Sequence, residues 1–161
     1  HLLTSYFYPP HPMSTSVNSY PYGIMRHAAY TDSGKGVTSN PASIHFLQEN
    51  VLPELLKRIE GKNIAILCST DLHAICTANA IIETLVGQNY TVTTSQEGLL
   101  RENSSACIDR EFVDDVCDFH DIPAGTFTLF ITHEPVIQRT LGRTINYCGI
   151  FSSDFEIKGH M

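Results

Sequence analysis

The chain contains no run of about 18 apolar residues, so a membrane-spanning helix is not expected. Its first residues lack a basic stretch followed by an apolar one, so a secretory leader is not expected either. Lysine and arginine are scarce. There are 10 of them against 17 aspartates and glutamates, for a formal net charge of −7. That balance argues against a nucleic-acid binder, which needs clustered cations on one face. It leaves room for a phosphorylated ligand, because one local cationic pocket suffices. No Cys-x-x-Cys pair occurs, and the five cysteines are odd in number and widely spaced. A disulfide framework is therefore not expected. Reduced thiols in a cytoplasmic setting are.

What is present fits one globular domain. The 161 residues are 42% hydrophobic and 17% charged, enough to build a core. Residues 1–22 are rich in Tyr, Pro and Ser and read as an N-terminal extension. Met13 reads as a natural start, with residues 1–12 as cloning residue. The closing Gly159-His160-Met161 reads the same way, which sets the domain at 23–158.

Short apolar strands alternate with helical stretches. Tyr22 to Met25 reads as a first strand ending at Arg26-His27, and Thr31 to Asn40 as a polar loop. Asn40-Pro41 is a helix start, with Asn as cap and Pro in the first turn. The stripe Ile44, Leu47, Val51, Leu55, Ile59 continues to Gly61, with Pro53 kinking or dividing it. Ile64 to Cys68 reads as the second strand, followed by a helix from Leu72 to Val86 whose stripe is Ala74, Ala78, Ile81, Ile82 and Leu85. Tyr90 to Thr94 reads as a third strand, 97–107 as loop, and Ile108 to Phe119 as a helix. Phe127 to Thr132 reads as a fourth strand, Pro135 to Leu141 as a short helix, and 146–157 as a hairpin about Ser152-Ser153-Asp154. This alternation predicts an α/β three-layer sandwich with a mainly parallel central sheet flanked by helices.

In such folds ligands bind beyond the carboxyl ends of the strands. Three strands end there in polar residues: Arg26-His27, Ser69-Thr70-Asp71 and Thr132-His133-Glu134. If the strands are parallel neighbours, two histidines and an arginine converge. A neutral imidazole can attack phosphorus while an arginine clamps the phosphate oxygens, and a nearby carboxylic acid can protonate the leaving group. Other motifs fail. Gly34-Lys35-Gly36 lacks the spacing of a phosphate-binding loop. Cys68 lacks the following Arg of a cysteine phosphatase. Cys117 and His120 lack a second ligand pair, so no metal is expected, nor any cofactor. His11, His45 and His120 read as structural or surface residues.

Met25-Arg26-His27-Ala28 resembles the Arg-His-Gly signature of the histidine phosphatase superfamily, which includes phosphoglycerate mutases. Ser69 to Ala78 resembles that family's Ser-x-x-x-Arg-Ala-x-Gln-Thr-Ala motif, and Leu129 to Pro135 resembles the strand carrying its second histidine. The set occurs in the family's order across residues 22–157. The resemblance implies His27 as nucleophile, His133 as second catalytic histidine, and Arg26, Ser69 and His73 as phosphate-binding residues. It implies Glu102 as general acid, with Glu97 as second choice. Ala28 stands where the family has Gly, and His73 where it has Arg. Arg101 and Arg139 are candidates to replace that charge. The short span from the third strand to His133 resembles the small phosphohistidine phosphatases. The implied substrate is a phosphorylated small molecule or a phosphoprotein, with no nucleic acid or membrane involved. The alternative is a weakened member that binds such a ligand without turnover.

Overall fold

The computed structural model describes residues 20–32 and 34–161. The expected extension, Met13 and His11 lie outside them, apart from the last three residues of that extension. One six-stranded sheet forms the centre, in the order β5-β4-β6-β1-β7-β8. Its four parallel strands are β1 (Tyr22–Arg26), β4 (Asn63–Cys68), β5 (Thr91–Gln96) and β6 (Phe127–Thr132). Two short strands, β7 (Ile150–Phe151) and β8 (Glu156–Ile157), add antiparallel at the β1 edge and form the expected terminal hairpin.

Alternation along the strands divides the core in two. Met25, Ile64, Ile66, Leu129 and Ile131 face one layer, while Ile24, Ala65, Leu67 and Phe130 face the other. Helix α1 (Pro41–Phe46), α2 (Leu52–Arg58) and α3 (Leu72–Gly87) pack on the first face through Leu55, Ala74, Ala78, Ile81 and Leu85. Helix α4 (Arg110–Phe119) and α5 (Glu134–Leu141) pack on the second through Val113, Val116, Val136 and Ile137. The result is the expected three-layer α/β sandwich.

Local chemistry explains the element ends. Asn40 accepts from the backbone N–H groups of Ala42 and Ser43, as a cap should. Between α1 and α2 the chain does not break at Pro53. It widens into a π-turn over Leu47–Val51, placing Pro53 in the first turn of α2, where its missing N–H costs nothing. Two features differ from expectation. The polar loop before Asn40 contains a small antiparallel ladder, β2 (Tyr30–Asp32) with β3 (Val37–Ser39). Val37 is its one aliphatic residue and most of its positions are exposed, so no apolar alternation marks it. The closing residues Gly159–Met161 are seated in the fold. His160 exchanges both backbone hydrogen bonds with Tyr147, and its Nε2 lies 2.5 Å from Ser43 Oγ. No helix among the described residues is long and apolar enough to cross a membrane.

Candidate active site

Strand register brings the polar ends together. Arg26 of β1 pairs with Thr132 of β6, and Cys68 of β4 pairs with Ile131. The ladder runs one step further: His27 N–H donates to Thr132, and Ser69 N–H donates to Ile131. His27, His133 and Ser69 therefore leave three adjacent strands at one edge. Helices α3 and α5 start at the same edge, with their N-termini beside these residues.

The three histidines form one cluster. The His27 ring meets His133 edge-on at 4.9 Å between centroids, and lies nearly parallel to His73 at 5.3 Å. Tyr30 of β2 covers His73 at 3.9 Å, and Tyr147 stands 6.0 Å from His27. The Arg26 guanidinium lies over the Tyr147 ring at 4.0 Å. Its Nη1 donates to the Ile145 carbonyl and lies 3.3 Å from Glu134 Oε2. Its Nε is buried and has no partner among the described residues.

His27 is held in one tautomer. Its Nδ1 lies 2.8 Å from the Ala28 carbonyl, which can only accept, so Nδ1 carries the proton and Nε2 keeps its lone pair. Burial pulls its pKa down to about 4, aided by His133, His73 and Arg26 and opposed by the Ala28 bond. The ring is therefore neutral at pH 7. Ala28 carries its Cβ without backbone strain, because its φ is not positive. Its N–H donates to Thr77 Oγ1 of α3, and Thr77 in turn donates to the His73 carbonyl.

His133 is fully buried. Its Nε2 lies 2.8 Å from Ser69 Oγ and 3.2 Å from Asp71 Oδ2, while its Nδ1 is buried with no partner among the described residues. Burial lowers its pKa to about 4, and Asp71 opposes that.

The expected carboxylates fare differently. Glu102 sits beside the cluster because its backbone N–H donates to Asp71 Oδ2, and its side chain is exposed. Glu97 is engaged elsewhere: its carboxylate accepts from Leu99 N–H and lies 2.9 Å from His120 Nε2. Neither spare arginine replaces a guanidinium at position 73. Arg101 donates to the Gly98 carbonyl, and Arg139 to the carbonyls of Ser104 and Ala106. Asp71 and Thr77, both within the Ser69 to Ala78 stretch, join the site with Tyr30 and Tyr147; none of the four has a role from sequence. Asp71 reads from sequence as part of the polar strand end Ser69-Thr70-Asp71; it precedes α3, and its side chain makes no cap hydrogen bond. Among the described residues no three His, Cys, Asp or Glu side chains are spaced to hold a metal ion.

No family model matches the chain, and no curated protein matches it in sequence. Solved structures do match in fold. A candidate phosphohistidine phosphatase, SixA, from Agrobacterium tumefaciens superposes with a TM-score of 0.54 at 13% identity, over 82% of this chain and 89% of that one. A second candidate phosphohistidine phosphatase SixA, from Nakamurella multipartitia, gives 0.48 at 16% identity, over 73% of this chain and 61% of that one. At these identities the likeness is one of fold.

Proposed function

We propose that the protein is a phosphatase in which His27 Nε2 attacks phosphorus. The N–P bond forms as the bond to the leaving group breaks, and water then attacks the phosphohistidine to release inorganic phosphate and free His27. The observation that carries this reading is the presentation of a neutral, Nε2-free His27 beside two buried nitrogens that lack partners, Arg26 Nε and His133 Nδ1. Orphaned buried polar atoms are costly, on the order of 1–3 kcal/mol each, and cluster where a ligand completes them. Phosphate oxygens would take both. Ser69 positions the second histidine, His73 flanks the nucleophile, and Glu102 is the rim carboxylate for the leaving group. The starts of α3 and α5 add their dipoles toward an anion.

The substrate class in this reading is a phosphorylated small molecule or a protein phosphohistidine. A phosphoramidate leaves readily once its nitrogen is protonated, which suits an acid as exposed as Glu102. The five free thiols favour a reducing, cytoplasmic setting. A second reading, binding without turnover, is favoured by two features: Arg26 is already paired with Glu134, and His73 offers less charge than an arginine.

Trapping with radiolabelled phosphohistidine peptide or acetyl phosphate separates the two. Wild type should carry acid-labile label and release phosphate, and His27→Ala should lower release by roughly three orders of magnitude or more. Phosphate release unchanged in His27→Ala would sink the phosphatase reading. Binding of inorganic phosphate without any release would leave the second.

A further inference from the structure

The arginine that would flank a phosphoryl group is replaced by His73, and neither Arg101 nor Arg139 reaches the histidines. A second cation must come from elsewhere if the site is to hold a phosphoryl dianion. The groups facing His133 are His27 at the end of β1, Ser69 at the end of β4, and Asp71 and His73 at the start of α3. Asp71 is the one anion in that set. Its Oδ2 also accepts the Glu102 N–H at 3.1 Å, a second tie on the same oxygen.

A carboxylate 3.2 Å from a ring nitrogen is favourable only if that nitrogen carries the proton. Asp71 therefore sets His133 as the Nε2–H tautomer, with Ser69 Oγ beside the same proton. The lone pair then lies on Nδ1, the buried atom that lacks a partner. This is the reverse of His27, where Nδ1 carries the proton.

We propose that Asp71 is the positioning residue of this site. It holds His133 so that Nδ1 accepts the proton of an incoming phosphoryl monoanion, and the resulting imidazolium is the second cation of the pocket. The inference rests on the phosphatase reading above. The proton balance closes: the substrate's P–OH proton moves to His133 Nδ1, leaving a phosphoryl dianion against an imidazolium. Asp71 faces that imidazolium across Nε2–H. The proton stays through transfer to His27 and hydrolysis, and returns to phosphate on release as the monoanion. The pocket gains the single negative charge of the monoanion rather than the two of a dianion. Burial disfavours a charged His133 in the free protein, where its pKa lies at about 4, so the proton is taken up only when the dianion arrives to face it. The substrate class implied is a phosphoryl group that still carries a proton near neutral pH, as alkyl phosphates and phosphoramidates do.

The test is histidine ¹⁵N NMR of the full chain, wild type and Asp71→Asn, at pH 7 with and without inorganic phosphate. The Asp71 side chain makes no cap hydrogen bond, so α3 should start unchanged. Wild-type His133 should show the Nε2–H tautomer alone and become doubly protonated with phosphate. In Asp71→Asn it should stay neutral with phosphate, and kcat should fall by about 100-fold. Asp71→Glu should recover part of both. A wild-type Nδ1–H tautomer would overturn the proposal. So would phosphate bound with His133 still neutral, or full protonation retained in Asp71→Asn. The phosphatase reading fails differently, through phosphate release that ignores His27→Ala. The tautomer without phosphate is read independently of turnover.

Discussion

The ring of His73 lies nearly parallel to that of His27, with 26° between their planes and 5.3 Å between centroids. Position 73 is thus inside the cluster, on the first turn of α3, with Tyr30 covering it. A longer, permanently charged side chain there would reach a phosphate that an imidazole meets only weakly. His73→Arg should tighten inorganic phosphate binding by about tenfold, the scale of one added charge-assisted hydrogen bond. Titration followed by ³¹P NMR reads it directly. Unchanged or weaker binding would place the phosphate away from position 73.

Acid should unfold the protein through this same cluster. His27 and His133 have folded pKa values of about 4, below the ordinary 6.5. The unfolded chain therefore binds more protons between those values, so stability falls as pH drops from about 6.5 toward 4 and is fully present above 6.5. Urea midpoints measured across that window should decline, and His27→Asn should flatten the decline. A midpoint constant from pH 7 to 4.5 would contradict the burial of both rings.

Thr77 links the strand that carries His27 to α3. Its Oγ1 accepts the Ala28 N–H at 2.9 Å while donating to the His73 carbonyl at 3.0 Å. Thr77→Val keeps the shape and leaves a buried N–H unpaired, at a cost of about 1–3 kcal/mol. Chemical denaturation should show that loss. Because the Ala28 carbonyl orients the His27 ring, kcat should fall by more than KM changes. A loss of stability with kcat unaltered would make the link purely structural.

Gly159 crosses close to the backbone of residues 146–149. A Cβ there would meet the Tyr147 carbonyl oxygen inside contact distance and lie 2.6 Å from Gly149 N. Gly159→Ala should destabilise the protein by roughly 1–3 kcal/mol. It should also disturb Tyr147, whose ring carries the Arg26 guanidinium. Denaturation together with phosphate affinity tests both, and a neutral substitution would mean that the closing residues are dispensable to the fold.

How legible this was in the sequence depended on the kind of signal. Strands β4 and β6 are continuous apolar runs with abrupt polar ends, so their limits and the residues they deliver could be read directly. Asn40-Pro41 carries its own capping chemistry, and the α3 stripe has helical period. Asp71 was legible only as part of the polar end Ser69-Thr70-Asp71, with no role of its own; the register of β4 against β6 is what places its carboxylate beside His133. The β2–β3 ladder is built mostly from exposed polar residues, and beside it the Asp32 side chain accepts from Gly34 N–H. The seating of His160 against Ser43 spans 117 positions, a pairing that no local pattern encodes.

The spacing of the two buried histidines has a consequence for how this site can change. They leave adjacent parallel strands one residue beyond a paired register, and their rings sit 4.9 Å apart, close to the roughly 4.8 Å between neighbouring strands of any sheet. The sheet acts here as a ruler. Substitution can alter what stands at either mark, and loops can reshape what lies above, but the interval belongs to the backbone. Redesign for a different reaction on this scaffold would have to choose chemistry that fits that interval.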